Sequence, residues 1–229
     1  MKEIIRRYFA GRRLVVATMH GKEKIIGPIL HEALGVEILV PINFNTDVYG
    51  TFSGEIERIV DPVEAARLKC TAACELTGCD LAVASEGSFG PHPSMFFVPG
   101  DDEILVFIDS KNKLEIKART ISTGTNFGGG LFTDWVSARE FAGGSLFPAH
   151  SLIIRKARNN NDHTVKGIAS WDELQYQFEQ FLGSYGAAYL ETDMRAMCNP
   201  TRQKVIEEVT MKLVQKVINT CPGCNVPGF

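Results

Sequence analysis

Residues Leu81–Pro93 read LAVASEGSFGPHP, and this stretch decides the fold. Leu81 to Ala84 is a short apolar run, expected as a buried strand. Small, hydroxyl-bearing and turn-forming residues then gather around one carboxylate, Glu86. In an open α/β sheet, ligands sit just beyond the carboxyl ends of strands. Glu86 is therefore a candidate catalytic and metal-binding residue, with Ser85, Ser88 and His92 as candidate substrate contacts. The structural alternative is a tight loop in which Glu86 caps a neighbouring backbone. The density of hydroxyl, acid and imidazole favours the functional reading.

Working outward, Leu14–Thr18 reads as a first buried strand and Glu37–Val40 as a second. Between them, Lys22–Leu34 has helical spacing, interrupted by Gly27-Pro28, where Pro28 marks a start or a kink. A long polar segment, INFNTDVYGTFSGEIER, follows. Asp61-Pro62-Val63-Glu64 opens a helix as a capping box with proline at the first position. Beyond the central stretch, strands are expected at Met95–Val98, Glu103–Asp109, Leu114–Ile121, Ser151–Lys156 and Ala187–Glu191. Helices are expected after Thr133, after Ser170, and from Asn199 to about Asn219. Alternating strands and helices give an α/β fold. The expectation is a twisted mixed sheet with helices on both faces and a cleft between two lobes. Residues 1–191 form the main domain, and 192–229 add a helix with a cysteine knuckle.

The totals set bounds. The chain has 229 residues, 45% hydrophobic and 22% charged, with a net charge of −3. That balance gives no bulk electrostatic case for nucleic acid. No apolar run reaches the ~20 residues of a membrane span. The opening MKEIIRRYFAGRR lacks the apolar core of a signal peptide and reads as an amphipathic lead-in. With no export signal, a cytoplasmic setting with reduced thiols is the default for the six cysteines.

Four constellations carry chemistry. Thr18–Lys24, TMHGKEK, lies between a strand and a helix. A helix N-terminus attracts phosphate, and Thr18, His20, Gly21, Lys22 and Lys24 make that loop a candidate phosphate contact. It is not a Walker motif, and a solvated loop is the alternative. An acid set, Glu55, Glu57, Glu64, Glu86 and Asp109, could serve magnesium, which prefers carboxylate and water oxygens. Glu86 and Asp109 both leave expected strands and are taken as a converging catalytic pair. Glu55 and Glu57 are better read as solvated and Glu64 as a cap. Lys69 is placed to reach a phosphate, with a surface lysine as the alternative. Cys221-Pro222-Gly223-Cys224 is one half of a zinc site. Cys198 precedes the last helix and Cys221 follows it, so a straight helix keeps them apart. Lastly, Arg195 and Arg202 flank a helix start, where a structural clamp is favoured over an anion site.

The runs ATMHGKEKIIGP, ASEGSFGPHP, FPAHSLIIR and TDMRAMCNPTR, with the CPGCNVPGF tail, resemble an uncharacterised bacterial domain family of unknown function. The resemblance implies a tail that continues into a second CxxC, a zinc-ribbon-like end. With the sequence ending at Phe229, only half of such a ribbon is expected here. A more distant resemblance is to the purine nucleoside triphosphate pyrophosphatases of the inosine/xanthosine triphosphatase group. Ala17-Thr18 with Lys22 or Lys24, Ala66 with Lys69, and Ala84-Ser85-Glu86 are similar to that group's phosphate loop, second helix and central acid. What this implies is a magnesium-dependent nucleotide-binding protein that hydrolyses a nucleoside triphosphate to monophosphate and pyrophosphate. A non-catalytic nucleotide sensor with a partner-binding tail is the rival. The expected partner is a small-molecule nucleotide, with a homo-oligomer left open.

Overall fold

The computed structural model describes residues 3–42, 44–45 and 60–228. In chain order its elements are α1 (Glu3–Phe9), β1 (Arg13–Ala17), α2 (Glu23–Leu34), β2 (Glu37–Leu39), α3 (Pro62–Thr77), β3 (Leu81–His92), β4 (Met95–Asp109) and β5 (Leu114–Ser122). There follow β6 (Gly129–Phe132), α4 (Trp135–Gly144), β7 (Leu152–Arg155), β8 (Val165–Ile168), α5 (Trp171–Tyr185), β9 (Ala188–Thr192) and α6 (Pro200–Ile218). The α/β class expected from the sequence is what the chain forms. In place of one central sheet, however, the described strands make two. One is a mixed sheet of order β2-β1-β3-β4-β5, the other an antiparallel sheet of order β6-β9-β7-β8. The chain divides into two compact units: residues 1–88, 102–122 and 203–229, and residues 89–101 with 123–202. From Gln203 onward the C-terminal helix and tail belong to the first unit.

In the first unit β1 lies parallel to both β2 and β3. The chain winds from β1 through α2 to β2 on one side. It then passes through α3 to β3 on the other. Alternate strand residues face opposite sides of a sheet. Val15, Ala17, Ala82, Ala84, Ile104 and Val106 pack on Ala66, Cys70 and Ala73 of α3. The intervening positions Leu14, Val16, Leu81, Val83, Leu105 and Phe107 are equally buried. Phe107 meets Phe9 of α1 edge-to-face at 5.7 Å, so helices cover both faces of this sheet. Each such side chain contributes about 2 kcal/mol by leaving water.

Local signals explain the helix starts. The Asp61 carboxylate accepts the N–H groups of Val63 and Glu64 at 2.9 and 3.1 Å, and Pro62 opens α3. The Glu64 carboxylate turns instead to Arg67. Pro28 does not start α2; it lies inside it. It removes the hydrogen bond to the Lys24 carbonyl, but both residues are exposed, so water can take that place.

In the second unit α4 and α5 cover one sheet face, with Ala138, Ala142, Leu152, Ile154, Leu174, Phe178, Ala188 and Leu190 in a common core. Asp134, one residue past the expected Thr133, caps α4 by accepting from the Ser137 N–H at 2.9 Å. Ser170 caps α5 as its sequence implies. On β7, Arg155 is fully buried, paired with Glu191 of β9 and donating to Asn161 at 2.9 Å.

Candidate functional site

Strand β3 does not stop at Ala84. It runs to His92 and returns as β4 after the turn Pro93-Ser94. Ser85 and Glu86 are therefore mid-strand residues rather than loop residues. They are also the first residues of β3 past the β1 ladder, whose last register pair is Ala17 with Ala84. Here the chain has wound to opposite sides of β1, so this is the switch point where open α/β sheets bind ligands.

Four ionisable side chains gather at that strand end, all from the first unit. Lys22, the residue before α2, turns its ammonium inward and donates to the Ser85 hydroxyl oxygen at 2.9 Å. Its ammonium also lies 3.9 Å from the Glu103 carboxylate of β4. On the opposite sheet face, Lys69 of α3 forms an ion pair with Glu86. Strand alternation fixes this division, since Glu86 continues the Ala82–Ala84 face towards α3 while Ser85 continues the Leu81–Val83 face. Lys22, Lys69 and Glu86 are 7%, 6% and 4% exposed, and Glu103 is fully buried.

Burying such ions costs several kcal/mol each, and replacing buried pairs by apolar groups is often stabilising. Stability alone is thus a poor reason for two lysines and two glutamates here. Helix starts also favour Ser, Thr, Asn, Asp and negative charge. A lysine just before α2, with its amine turned in on Ser85, opposes that preference and fits an anion at the strand end. Because an ammonium only donates, the Ser85 hydroxyl proton points elsewhere, toward any acceptor brought to the site. Thr18 adds a buried hydroxyl at the end of β1, and Gly21, at φ +78°, turns the loop into α2.

Other expected site residues are distributed differently. Asp109 does not converge with Glu86. As β3 and β4 form a hairpin, Asp109 lies at the Leu81 end of β3, while Glu86 lies further along, in the middle of that strand. There it accepts from both terminal nitrogens of Arg12 at 2.8 Å and from the Asn112 N–H and side chain at 3.1 and 2.6 Å. Burial pushes the Asp109 carboxyl up, but the Arg12 and Asn112 donors outweigh it and hold it below its ordinary value. Lys24 is exposed on α2 and His20 half-buried in the preceding loop. Ser88 is half-buried two residues past Glu86 on the same strand face. His92 sits at the hairpin tip in the second unit, accepting the Ser94 N–H at 3.2 Å. Glu55 and Glu57 lie outside the described residues.

Glu103 was not singled out from the sequence. The signal was its period-two spacing with Leu105 and Phe107, which places an acid on a buried face.

Arg195 and Arg202 are both engaged inside the second unit. Arg195 donates to Asp193 through its backbone N–H, Nε and a terminal nitrogen. Arg202 donates to the Met194 carbonyl, and its guanidinium lies 4.9 Å from the Phe89 ring centre. His150 Nε2 accepts the Thr201 N–H at 3.1 Å, and Asn199 accepts the Arg202 N–H at 3.0 Å.

Among the described residues no three His, Cys, Asp or Glu side chains come together to hold a metal ion. Magnesium at the strand end would have Glu86 as a single carboxylate ligand, and only after Lys69 lets it go. Zinc at the tail would have Cys221 and Cys224 without a third protein donor from the described residues. Nor is any described helix long and apolar enough to cross a membrane.

The fold and this site define an α/β protein with a buried charged cluster at the carboxyl end of β1, beside the middle of the parallel strand β3. Residues 69–229 match a family described as a domain of unknown function (DUF6671), and the chain belongs to that family. Lys69, Ser85, Glu86, Glu103, Cys221 and Cys224 fall inside the matched span, while the Thr18–Lys24 loop precedes it. Curated proteins give no match. Among solved structures, the protein VC0702 from Vibrio cholerae is 9% identical, with 92% of this chain and 97% of that one covered at a TM-score of 0.43. That likeness is too loose to define the fold.

Proposed function

We propose that the switch-point site binds a phosphate-bearing nucleotide. The observation that carries this reading is the Lys22 ammonium, drawn in from a helix start onto Ser85, the first residue of β3 past the carboxyl end of β1. In this reading Lys22, the Ser85 and Thr18 hydroxyls and the N–H groups of the loop into α2 receive phosphate oxygens. Glu103 gives Lys22 a counter-charge at 3.9 Å, and Lys69 holds Glu86 in place until ligand arrives. Glu86 would be the carboxylate that holds a magnesium ion brought with the nucleotide, an ion that would neutralise phosphate charge there. Hydrolysis to monophosphate and pyrophosphate is the further step suggested by the similarity of Ala84-Ser85-Glu86 and the Thr18–Lys24 loop to the triphosphate pyrophosphatases. It requires Glu86 to exchange Lys69 for water or metal.

Calorimetric titration of the full chain with pyrophosphate, ATP and ITP, with and without magnesium, tests the reading. We expect saturable binding that Lys22→Met weakens at least about tenfold, or 1.4 kcal/mol. Lys24→Met, at the exposed position, leaves it within about twofold. Pyrophosphate released from a triphosphate with magnesium makes the protein a hydrolase; binding without release makes it a sensor. No binding of any of these anions would remove the nucleotide reading.

A further inference from the structure

The tip of the β3–β4 hairpin is apolar, uncharged and open to solvent. From Gly87 to Gly100 the sequence holds no Asp, Glu, Lys or Arg. At the start of β4, Phe96 and Phe97 are 77% and 90% exposed, and Pro91, Pro93 and Met95 are exposed beside them. Single exposed apolar residues are ordinary, but a contiguous apolar patch marks an interaction surface.

The second unit, to which this tip belongs, also carries a counterpart. Trp135, Val136, Arg139, Glu140 and Gly143 of α4, with Trp171 of α5, line a groove of about 480 Å³. The core fixes its indoles. Trp135 packs on Phe178 at 5.7 Å, and Trp171 meets Phe147 edge-to-face at 4.7 Å. Preformed aromatic walls of this kind concentrate binding energy. Val136 in the groove is 67% exposed. Arg139, 5.4 Å over the Trp171 ring, and Glu140 cancel in charge, which suits an uncharged occupant. Tip and groove share one unit and both stay exposed there, so a single chain does not join them.

We propose that two copies of this chain pair reciprocally, the Phe96–Phe97 tip of each seated in the Trp135–Trp171 groove of the other. Area decides for the reciprocal form. At about 200 Å² for a phenylalanine, the two exposed rings offer ~300 Å². With a matching loss from the groove, one contact removes ~600 Å² from water, short of the ~1,200 Å² at which specific interfaces begin. Two contacts related by a two-fold axis reach that size and leave neither a tip nor a groove open. An interface at the lower end of the range gives a reversible dimer of roughly micromolar affinity.

Trp135 and Trp171 are the only tryptophans in the chain, so intrinsic fluorescence reads the groove directly. The test follows sedimentation velocity, tryptophan emission and acrylamide quenching of the full chain from about 0.1 to about 100 μM, bracketing a micromolar Kd. We expect monomer to give way to dimer, with emission moving to shorter wavelength and quenching falling at the same midpoint. Replacing Phe96 and Phe97 together by Ser should raise the Kd at least about tenfold, and so should Val136→Asp, which alters only the groove. Both variants change exposed side chains, and an acid suits the first turn of α4, so thermal unfolding of dilute protein should match wild type. A chain that stays monomeric over this range would overturn the proposal; if phosphatidylcholine vesicles then capture it through the tip, the occupant is a lipid surface instead. A dimer with unchanged quenching, or one that Val136→Asp leaves intact, would also overturn it. None of these residues belongs to the nucleotide site, so failure here leaves that reading standing.

Discussion

The Glu86 carboxylate and Lys69 ammonium are each withdrawn from water, so each depends on the other for its charge to be tolerated. Glu86→Gln keeps size and hydrogen bonding but leaves an ammonium buried without a counter-charge. We expect it to destabilise the fold by about 3 kcal/mol in urea titrations. Lys69→Met should cost a similar amount, and the double variant should recover most of the combined loss. Simple additivity of the two losses would show that the pair is not coupled. An exposed site would not behave so, since surface substitutions change stability by only about 0.5 kcal/mol. Asp109 makes the opposite case, a buried carboxylate whose role is structural. Its folded-state value is lowered, so its contribution is present above the ordinary carboxylate range. It is lost as pH falls through the folded-state value. Asp109→Asn should destabilise at neutral pH by about 3 kcal/mol, softened by the remaining Arg12–Asp80 pair at 2.8 Å. It should also flatten the acid limb of the stability curve while leaving nucleotide binding unchanged. Urea midpoints measured from neutral pH downward check both.

At the scale of elements, two glycines should respond with opposite signs. A Cβ on Gly129 of β6 would stand 2.8 Å from the Tyr189 hydroxyl and 3.0 Å from the Leu190 carbonyl, so Gly129→Ala should cost about 1–3 kcal/mol. Gly143 in exposed α4 has nothing within 4 Å, and Gly143→Ala should stabilise by about 0.5–1 kcal/mol. Thermal unfolding of the two variants should move in opposite directions. β6 itself shows where sequence reading ends. Gly-Gly-Leu-Phe has no strand period, and its pairing with β9 is a contact with residues far along the chain. The same holds for Ser85–His92, where small and polar residues read as a turn. β4 lies alongside, and the turn falls at Pro93-Ser94 instead. By contrast β1, α3 and α5 were legible, because apolar spacing and caps at Asp61 and Ser170 are local signals. The site was legible in halves. Lys22, Lys69, Ser85 and Glu86 carry unusual residue types at strand or helix positions. Asp109 was drawn in because one sequence cannot tell which end of a hairpin an acid occupies. Glu103 was passed over because an acid at the edge of an acidic run, Asp101-Asp102-Glu103, reads first as solvated.

For the whole molecule, the two units allow the nucleotide reading to be located as well as detected. A ligand that binds only the folded state adds RT ln(1 + [L]/Kd) to its stability, about 2.7 kcal/mol at a hundredfold excess over Kd. Amides whose exchange requires opening of the ligand-bearing unit should slow accordingly, while amides that exchange by local opening elsewhere should not. With pyrophosphate or a nucleotide present, we expect added protection over β1, the Thr18–Lys22 loop, the first turn of α2 and the Leu81–Ser88 part of β3. The sheet β6-β9-β7-β8 should keep its free-state rates where these reflect local opening. Lys22→Met should abolish the added protection, and Cys221→Ser should preserve it, since the tail loop takes no part in phosphate binding. Added protection confined to the second sheet would move the site to the other unit. Unchanged exchange throughout, at ligand concentrations that saturate the calorimetric signal, would mean that the bound anion makes no use of the switch point.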